Sequence, residues 1–374
     1  MFKQSVAAIV IGLACLAVAP AFADIKAYND AVRAGDYKTA AAEAKGVWTT
    51  FDKSSPDAAA VAREFGFSSY LAGDYAAAHD YGQFLKDKGP TLPTPDDQPV
   101  VSAVLLAAAD YRLDPKSARD ELSDALVARA MMPGRDNISV LAAEALYNGD
   151  WNSAAWSKSI KSADLAAGLI ERAGPALRPR FYRARISGAA AEFLASPTPR
   201  DWQLMADIHD AIIDDINATA DPAARDALAR QLYSATTWLT ALHTFVHSNA
   251  HQTGSHISVE VKERKLKELT APLFPDVADP RPVCKGRATL GNFNYPSAAE
   301  FRGLPGAVLL KLDFDDAGKV SHAEVLGSVP SDIFANALVK ASPGFRWVPD
   351  ERQNLKACRL RRNNYMLSVE FLIG

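Results

Sequence analysis

The stretch "YPSAAEFRGLPGAVLLKLDFDDAGKV", residues 295–320, decides how the C-terminal part of this chain folds. Apolar residues occupy every second position from Val308 to Phe314, the period of a strand with one buried face. The run Asp315–Gly318 then predicts a hairpin turn, because glycine tolerates the positive φ that such turns require. Residues 319–328, "KVSHAEVLGS", follow as the second strand, and "SAAEFRG" before the first strand predicts one short helix.

The residues downstream complete a small domain. The stretch "DIFANALVKAS", residues 332–342, has one apolar face and predicts a helix. The last residues, "NNYMLSVEFLIG", alternate again from Tyr365 to Ile373 and predict a third strand. The sequence therefore predicts a three-stranded antiparallel sheet that helices cover on one face.

The long region upstream has a different pattern. From Asp24 to about Pro272, alanine, leucine and charged residues recur at helical spacing, broken by Gly and Pro. Residues 270–284 contain four prolines and lack helical periodicity, which predicts a linker. The expected organisation is multidomain, with an all-α region at 24–270, a Pro-rich linker at 271–285 and an α+β domain at 286–374.

An internal repeat lies within the helical region. Gly-Asp-aromatic triplets begin at Gly35, Gly73 and Gly149, spaced by 38 and 76 residues, and a degenerate copy surrounds Asp114. We expect each glycine to end one helix and each aspartate to cap the next. The pattern resembles the tetratricopeptide repeat (TPR), which implies a solenoid with a concave binding face. An irregular helical bundle is the alternative.

The N-terminus has the features of an export signal. Lys3 precedes the apolar run Val6–Val18, and Ala21-Phe22-Ala23 is a small-x-small cleavage site. We expect residues 1–23 to be a cleaved signal peptide and the protein to be periplasmic. A retained inner-membrane anchor facing the periplasm is the alternative. After cleavage two cysteines remain, Cys284 and Cys358, and an even pair in an oxidising compartment predicts a disulfide rather than two buried thiols.

Charge and motifs argue against several functions. The net charge of −3 lacks the excess of basic residues that is typical of a nucleic-acid-binding protein. Residues 284–374 carry 12 Lys and Arg against 9 Asp and Glu, partly in "KACRLRR" at 356–362, which is either a solvated face or attracted to acidic partners or lipid headgroups. The chain lacks a nucleophile motif, paired catalytic carboxylates and a Gly-rich phosphate loop, so we expect neither an enzyme nor a cofactor.

Three histidines are the exception with metal-binding spacing. His243, His247 and His251 lie four residues apart, on one face of a predicted helix. Imidazoles at this spacing can chelate a divalent metal, although no HExxH motif or carboxylate cluster accompanies them. A metal-binding protein is therefore a third hypothesis, and a polar stripe near a helix end is the alternative interpretation.

Residues 286–374 resemble the C-terminal domain of TonB. The resemblance rests on Tyr295-Pro296, Gly303-x-x-Gly306, the Asp315-to-Val320 hairpin, "VLGSVPSDIF" at 325–334, and Arg346, Trp347 and Pro349 before the closing strand. The chain departs from the family pattern at Gly291-Asn-Phe-Asn294 and in the insertion "ERQNLKACRLRR". It also has helical repeats where TonB has a long Pro-rich spacer.

The resemblance implies a non-enzymatic, membrane-adjacent protein that contacts outer-membrane transporters or other envelope proteins by β-strand addition. An anchored energy transducer with its N-terminal helix retained is the alternative. Self-association is a further expectation for an open edge, as a homodimer through the last strand. The residues expected to contact the partner are Asn292, Asn294, Asn364, Tyr365, Met366, Leu367, Ser368, Val369 and Phe371.

Overall fold

The structure is a computed structural model that describes residues 21–92, 98–196, 198–252, 265–274, 276, 279–291, 296, 306–330, 332–351 and 353–371. Contacts between residues divide the chain into two compact units, Met1–Leu177 and Arg178–Gly374. All but the last three residues of the predicted signal peptide lie outside the described residues, as does the predicted short helix after Tyr295. The predicted linker at 271–285 falls inside the second unit.

Helices build the described part of the first unit, and consecutive helices pack against each other. Their bounds are α1 Ala21–Ala34, α2 Tyr37–Thr50, α3 Ala58–Ala72, α4 Tyr75–Lys88, α5 Gln98–Leu113, α6 Arg119–Met131, α7 Asn137–Asn152 and α8 Trp156–Ala173.

The turns between α1 and α2 and between α3 and α4 have the predicted chemistry. Gly35 and Gly73 adopt φ of 71° and 80°, the left-handed conformation that ends a helix. The side chains of Asp36 and Asp74 each accept the backbone N–H three residues on, so they cap the following helix. The prediction for these two copies of the repeat is confirmed.

The prediction for the third copy is wrong. Gly149 and Asp150 lie inside α7, which continues to Asn152, so they neither end a helix nor cap one. A Cβ on Gly149 would lie 1.9 Å from the hydroxyl of Tyr111, so this glycine permits two helices to approach closely. Asp150 is buried and accepts hydrogen bonds from Arg119 at 3.0 and 2.9 Å. The same Gly-Asp pair therefore packs between helices here, whereas it forms a turn in the two earlier copies.

The second unit combines helices with two antiparallel sheets. The helices are α9 Arg178–Ala195, α10 Pro199–Ala218, α11 Pro222–Gln252 and α12 Ile333–Ala341. The strands are β1 Gly286–Thr289, β2 Gly306–Phe314, β3 Val320–Val329, β4 Arg346–Pro349 and β5 Arg362–Phe371. The order β3-β2-β5 confirms the predicted three-stranded sheet, and β1 and β4 form a separate ribbon.

One face of the three-stranded sheet packs on α12 and the ribbon. The alternating side chains of β2 predicted from the sequence point into this core. Aromatic rings fill this core. The ring centroids of Phe334 and Phe371 are 4.6 Å apart, and those of Phe314 and Trp347 are 5.9 Å apart. The buried members of the cluster are Val308, Leu310, Leu312, Phe314, Phe334, Ala335, Leu338, Phe345, Trp347, Val369 and Phe371.

The opposite face is also covered, so the prediction of a sheet covered on one face is wrong. Leu309 of β2 is buried in a cluster with Ala229 and Tyr233 of α11. Burial raises the pKa of the Tyr233 hydroxyl well above its ordinary value. A Cβ on Gly327 would lie 2.3 Å from Thr237 Oγ1, so the helix lies directly on β3. A helix with an apolar stripe packs as readily on a sheet as on other helices, which is why periodicity did not show this contact.

The described part of the predicted linker forms no helix or strand, yet it is docked. Phe274 stacks on Tyr233 with ring centroids 6.2 Å apart, and Lys311 Nζ lies 4.4 Å from the centroid of the Phe274 ring. Shortly before it, the backbone N–H of Thr270 donates to Asn217 at 3.1 Å. These contacts hold the segment against α10, α11 and the sheet.

We expect Gly327→Ala to destabilise the second unit by about 1–3 kcal/mol, because the added methyl group overpacks the contact with Thr237. Gly344→Ala is the matched control, since its Cβ would meet only ordinary contacts at 3.6 Å. Urea unfolding followed by hydrogen exchange of β2 and β3 peptides measures both. Equal midpoints for the two variants would contradict the packing described.

Candidate functional site: the outer edge of β5

Strand β5 has one edge on β2, and its other edge has no partner strand among the residues that the structure describes. It pairs with β2 from Gly306↔Phe371 to Phe314↔Arg362, and no described residue pairs with its second edge. Such an edge presents a row of unpaired N–H and C=O groups, which can take up an additional strand. Residues 364–371, predicted as the pairing edge, thus lie in this strand.

The side chains of β5 alternate between the two faces of the sheet. Tyr365 and Leu367 are half-buried on the α12 face, whereas Val369 and Phe371 are fully in the core, at 4% and 2% exposed. For those two residues only the backbone can reach a partner. The α11 face carries the exposed side chains, which are Met366, Ser368 and Glu370.

The first residues of the edge are already engaged. Asn364 has φ of 57°, and its N–H donates to Asp313 Oδ1 at 2.8 Å, at an irregularity in the pairing with β2. The N–H of Asn363 donates to Asp276 Oδ1 at 2.8 Å. Asp276 thus occupies the N–H group of Asn363 just before Tyr365–Phe371, the stretch whose register with β2 is regular.

A buried arginine holds this carboxylate. Arg359 is 7% exposed, and its Nη2 donates to Asp276 Oδ2 at 3.0 Å. Its Nε donates to the backbone oxygen of Arg281 at 3.0 Å. We name Asp276, Arg359 and Asn363 the end stop. No sequence pattern indicates the end stop, because its two charged residues are 83 positions apart and only an unspecific basic run contains one of them.

The run "KACRLRR" is thus not a uniform cationic face. Arg359 is buried in the end stop, and the guanidinium of Arg362 lies 5.0 Å from the ring centroid of Trp347 and 4.3 Å from that of Tyr365. Lys356 and Arg361 are exposed. Two of the four cations serve packing, and two are available to solvent.

A disulfide anchors the end stop. Cys284 and Cys358, the predicted pair, are joined with their Cα atoms 5.0 Å apart. Around the bridge, the N–H of Cys284 donates to the Arg359 oxygen at 2.9 Å. Trp347 Nε1 donates to the Cys284 oxygen at 3.2 Å. The bridge therefore joins the segment before β1 to the segment before β5.

His243, the first residue of the predicted histidine cluster, lies near the far end of β5. His243 Nδ1 lies 3.8 Å from Glu370 Oε1, beyond hydrogen-bonding distance. The side chains of His247 and His251, and both predicted contacts Asn292 and Asn294, lie outside the described residues. Where side chains are described, no group of three His, Cys, Asp or Glu residues is placed to hold a metal ion.

A cavity of about 360 Å³ lies in the first unit, between α4, α5 and α6. Its floor is apolar, with Leu85 and Leu106 buried, and Glu121 and Asp124 lie at its exposed rim. The chain from 93 to 97, which joins the segment after α4 to α5, lies outside the described residues.

Comparisons with known proteins add no assignment. No protein-family model matches the chain, and no curated protein matches its sequence. In the part of the chain that the structure describes, no helix is both long enough and apolar enough to cross a membrane.

We expect reduction of the disulfide to destabilise the second unit by about 2–4 kcal/mol, because a closed loop restricts the unfolded chain. Hydrogen exchange of β5 peptides at increasing urea, with and without reductant, measures the loss. The Cys284→Ser/Cys358→Ser variant is the control and should not respond to reductant. An unchanged midpoint for the native protein on reduction would contradict the anchoring role.

Proposed function

We propose that this chain is a non-enzymatic, exported interaction protein that binds an extended segment of another envelope protein at the outer edge of β5. One observation carries the proposal: Tyr365–Phe371 belong to a strand firmly paired on one edge and without a described partner on the other. The resemblance of residues 286–374 to the TonB C-terminal domain supports the same mode. Partners would be outer-membrane transporters or other envelope proteins.

The physical basis is preorganisation. The side chains of Val369 and Phe371 are fixed in the core, so the strand is already extended before a partner arrives. An incoming segment then gains main-chain hydrogen bonds without ordering β5 first, which reduces the entropy lost on binding. Main-chain bonds supply affinity in this mode, while alternating side chains supply specificity.

The remaining parts of the chain fit an adaptor. The hairpins at Gly35 and Gly73 support TPR-like packing in the first unit, which would offer a second surface for protein partners. The Cys284–Cys358 bridge suits an oxidising compartment such as the periplasm, and we propose export there by the signal at 1–23.

The apolar run Val6–Val18 favours a second candidate, an anchored TonB-type transducer that keeps its N-terminal helix. Mass spectrometry of the mature protein separates the two. A chain beginning at Asp24 supports the adaptor, whereas an intact N-terminus supports the transducer.

A photocrosslinking amino acid at Met366, on the exposed face of β5, should form a covalent product with an envelope protein in the cells that make this protein. The matched control is Val348 on the separate β1–β4 ribbon, since both side chains are similarly exposed, at 38% and 42%. Peptide mapping should place the partner's crosslink in an extended segment. Equal products from both positions, or none from Met366, would contradict binding at this edge.

A further inference from the structure

We infer that the β5 edge selects an extended segment that pairs along Tyr365–Phe371 and places a cationic side chain beside Glu370. The inference rests on the proposed function, because it specifies what that edge binds. It combines two observations at opposite ends of β5. One is the end stop, and the other is that Glu370 has no oppositely charged residue across from it on β2.

The end stop limits the length of the segment. Asp276 accepts the N–H of Asn363, and the buried Arg359 holds that carboxylate in place. An added strand that continued past Tyr365 to Asn363 would meet a backbone N–H group that already has a hydrogen-bond partner. The end stop therefore marks where continuous pairing begins at the Tyr365 end of the strand, and Tyr365–Phe371 are the described residues that can pair beyond it.

Charge at the other end of the edge is not balanced across the strands. On the same face of the sheet, Lys311 of β2 lies opposite Glu324 of β3, with 2.5 Å between Nζ and Oε2. Glu370 of β5 lies opposite Ala307, which offers no charge. No Lys or Arg of the described residues lies within 4.0 Å of its carboxylate.

One histidine faces Glu370 from the packed helix without a hydrogen bond to it. His243 of α11 is 3.8 Å away, and both side chains are about two-fifths exposed, at 42% and 41%. The Glu370 carboxylate is therefore open to a residue on an added strand. A Lys or Arg there completes a cross-strand ion pair, while an Asp or Glu is repelled.

The other face of the strand sets the rest of the pattern. Tyr365 and Leu367 are half-buried, so side chains beside them on an added strand would extend the apolar cluster around Trp347. The expected segment is thus apolar at alternate positions, with a cation among the intervening ones. An acidic segment of the same length is disfavoured.

Four synthetic heptapeptides test the charge preference on the full-length protein. Val-Lys-Val-Thr-Val-Thr-Val places lysine beside Glu370 in antiparallel pairing, and Val-Thr-Val-Thr-Val-Lys-Val does so in parallel pairing. Each has a counterpart with glutamate in place of lysine. We expect one lysine peptide to bind roughly two- to thirtyfold more tightly than its counterpart, from attraction in one and repulsion in the other. Fluorescence anisotropy with labelled peptides measures this ratio.

Charge reversal in the protein makes the test specific. Glu370→Lys should invert the preference, so that the glutamate peptide binds more tightly. Glu351→Lys changes the net charge equally at an exposed residue outside β5, and it should leave the preference unchanged. Equal binding of lysine and glutamate peptides to the native protein overturns the charge preference while strand addition stands. Absence of binding by all four peptides at millimolar concentration counts against strand addition itself.

Peptide length is tested separately. Extending the tighter peptide by four residues past the position beside Tyr365 should change its affinity by less than twofold, because the end stop blocks further pairing. A gain of tenfold or more overturns the limit that the end stop sets.

Discussion

The second unit depends on the contact between α11 and β3 at Gly327. Because this residue has no side chain, Thr237 lies against the strand backbone, and the helix closes the face of the sheet opposite α12. With α12 on one face and α11 on the other, most of the described sheet is closed to a partner, whereas β5 keeps exposed side chains beside its outer edge. The packing of one helix thus leaves a strand edge as the part of the sheet that is open to an added strand.

Local patterns predicted the helical region and three of the five described strands. Alternation marked β2, β3 and β5, and glycine followed by aspartate marked the turns at Gly35 and Gly73, because both signals act within a few residues. The four-residue strands β1 and β4 are too short to show such alternation, and the ribbon was not predicted. The same Gly-Asp pair at Gly149 lies inside a helix and packs against another helix, since Tyr111 occupies the space that a side chain on Gly149 would need. A motif specifies a local geometry only where the tertiary contacts leave it free to do so.

The sequence predicted the strand of the candidate site but not the contacts around it. The alternation of β5 predicted which side chains share a face, but the burial of Val369 and Phe371 depends on the rings packed above them. The end stop joins Asp276 to Arg359 across 83 positions, and no local pattern records a contact over that separation. A carboxylate in a Pro-rich segment gave no reason to expect a hydrogen bond to a strand.

The Cys284–Cys358 bridge also determines how a pull on β5 would travel along the chain. Suppose that a force is applied at β5 and resisted at the helices earlier in the chain. The disulfide transmits this force directly from Cys358 to Cys284. The two cysteines are 74 positions apart, so about 250 Å of potential extension is removed from the loaded path. The strands β1 to β4 and helix α12 lie within that bypassed loop. A partner held by β5 would be tethered by a shorter and stiffer connection than the contour of the chain suggests.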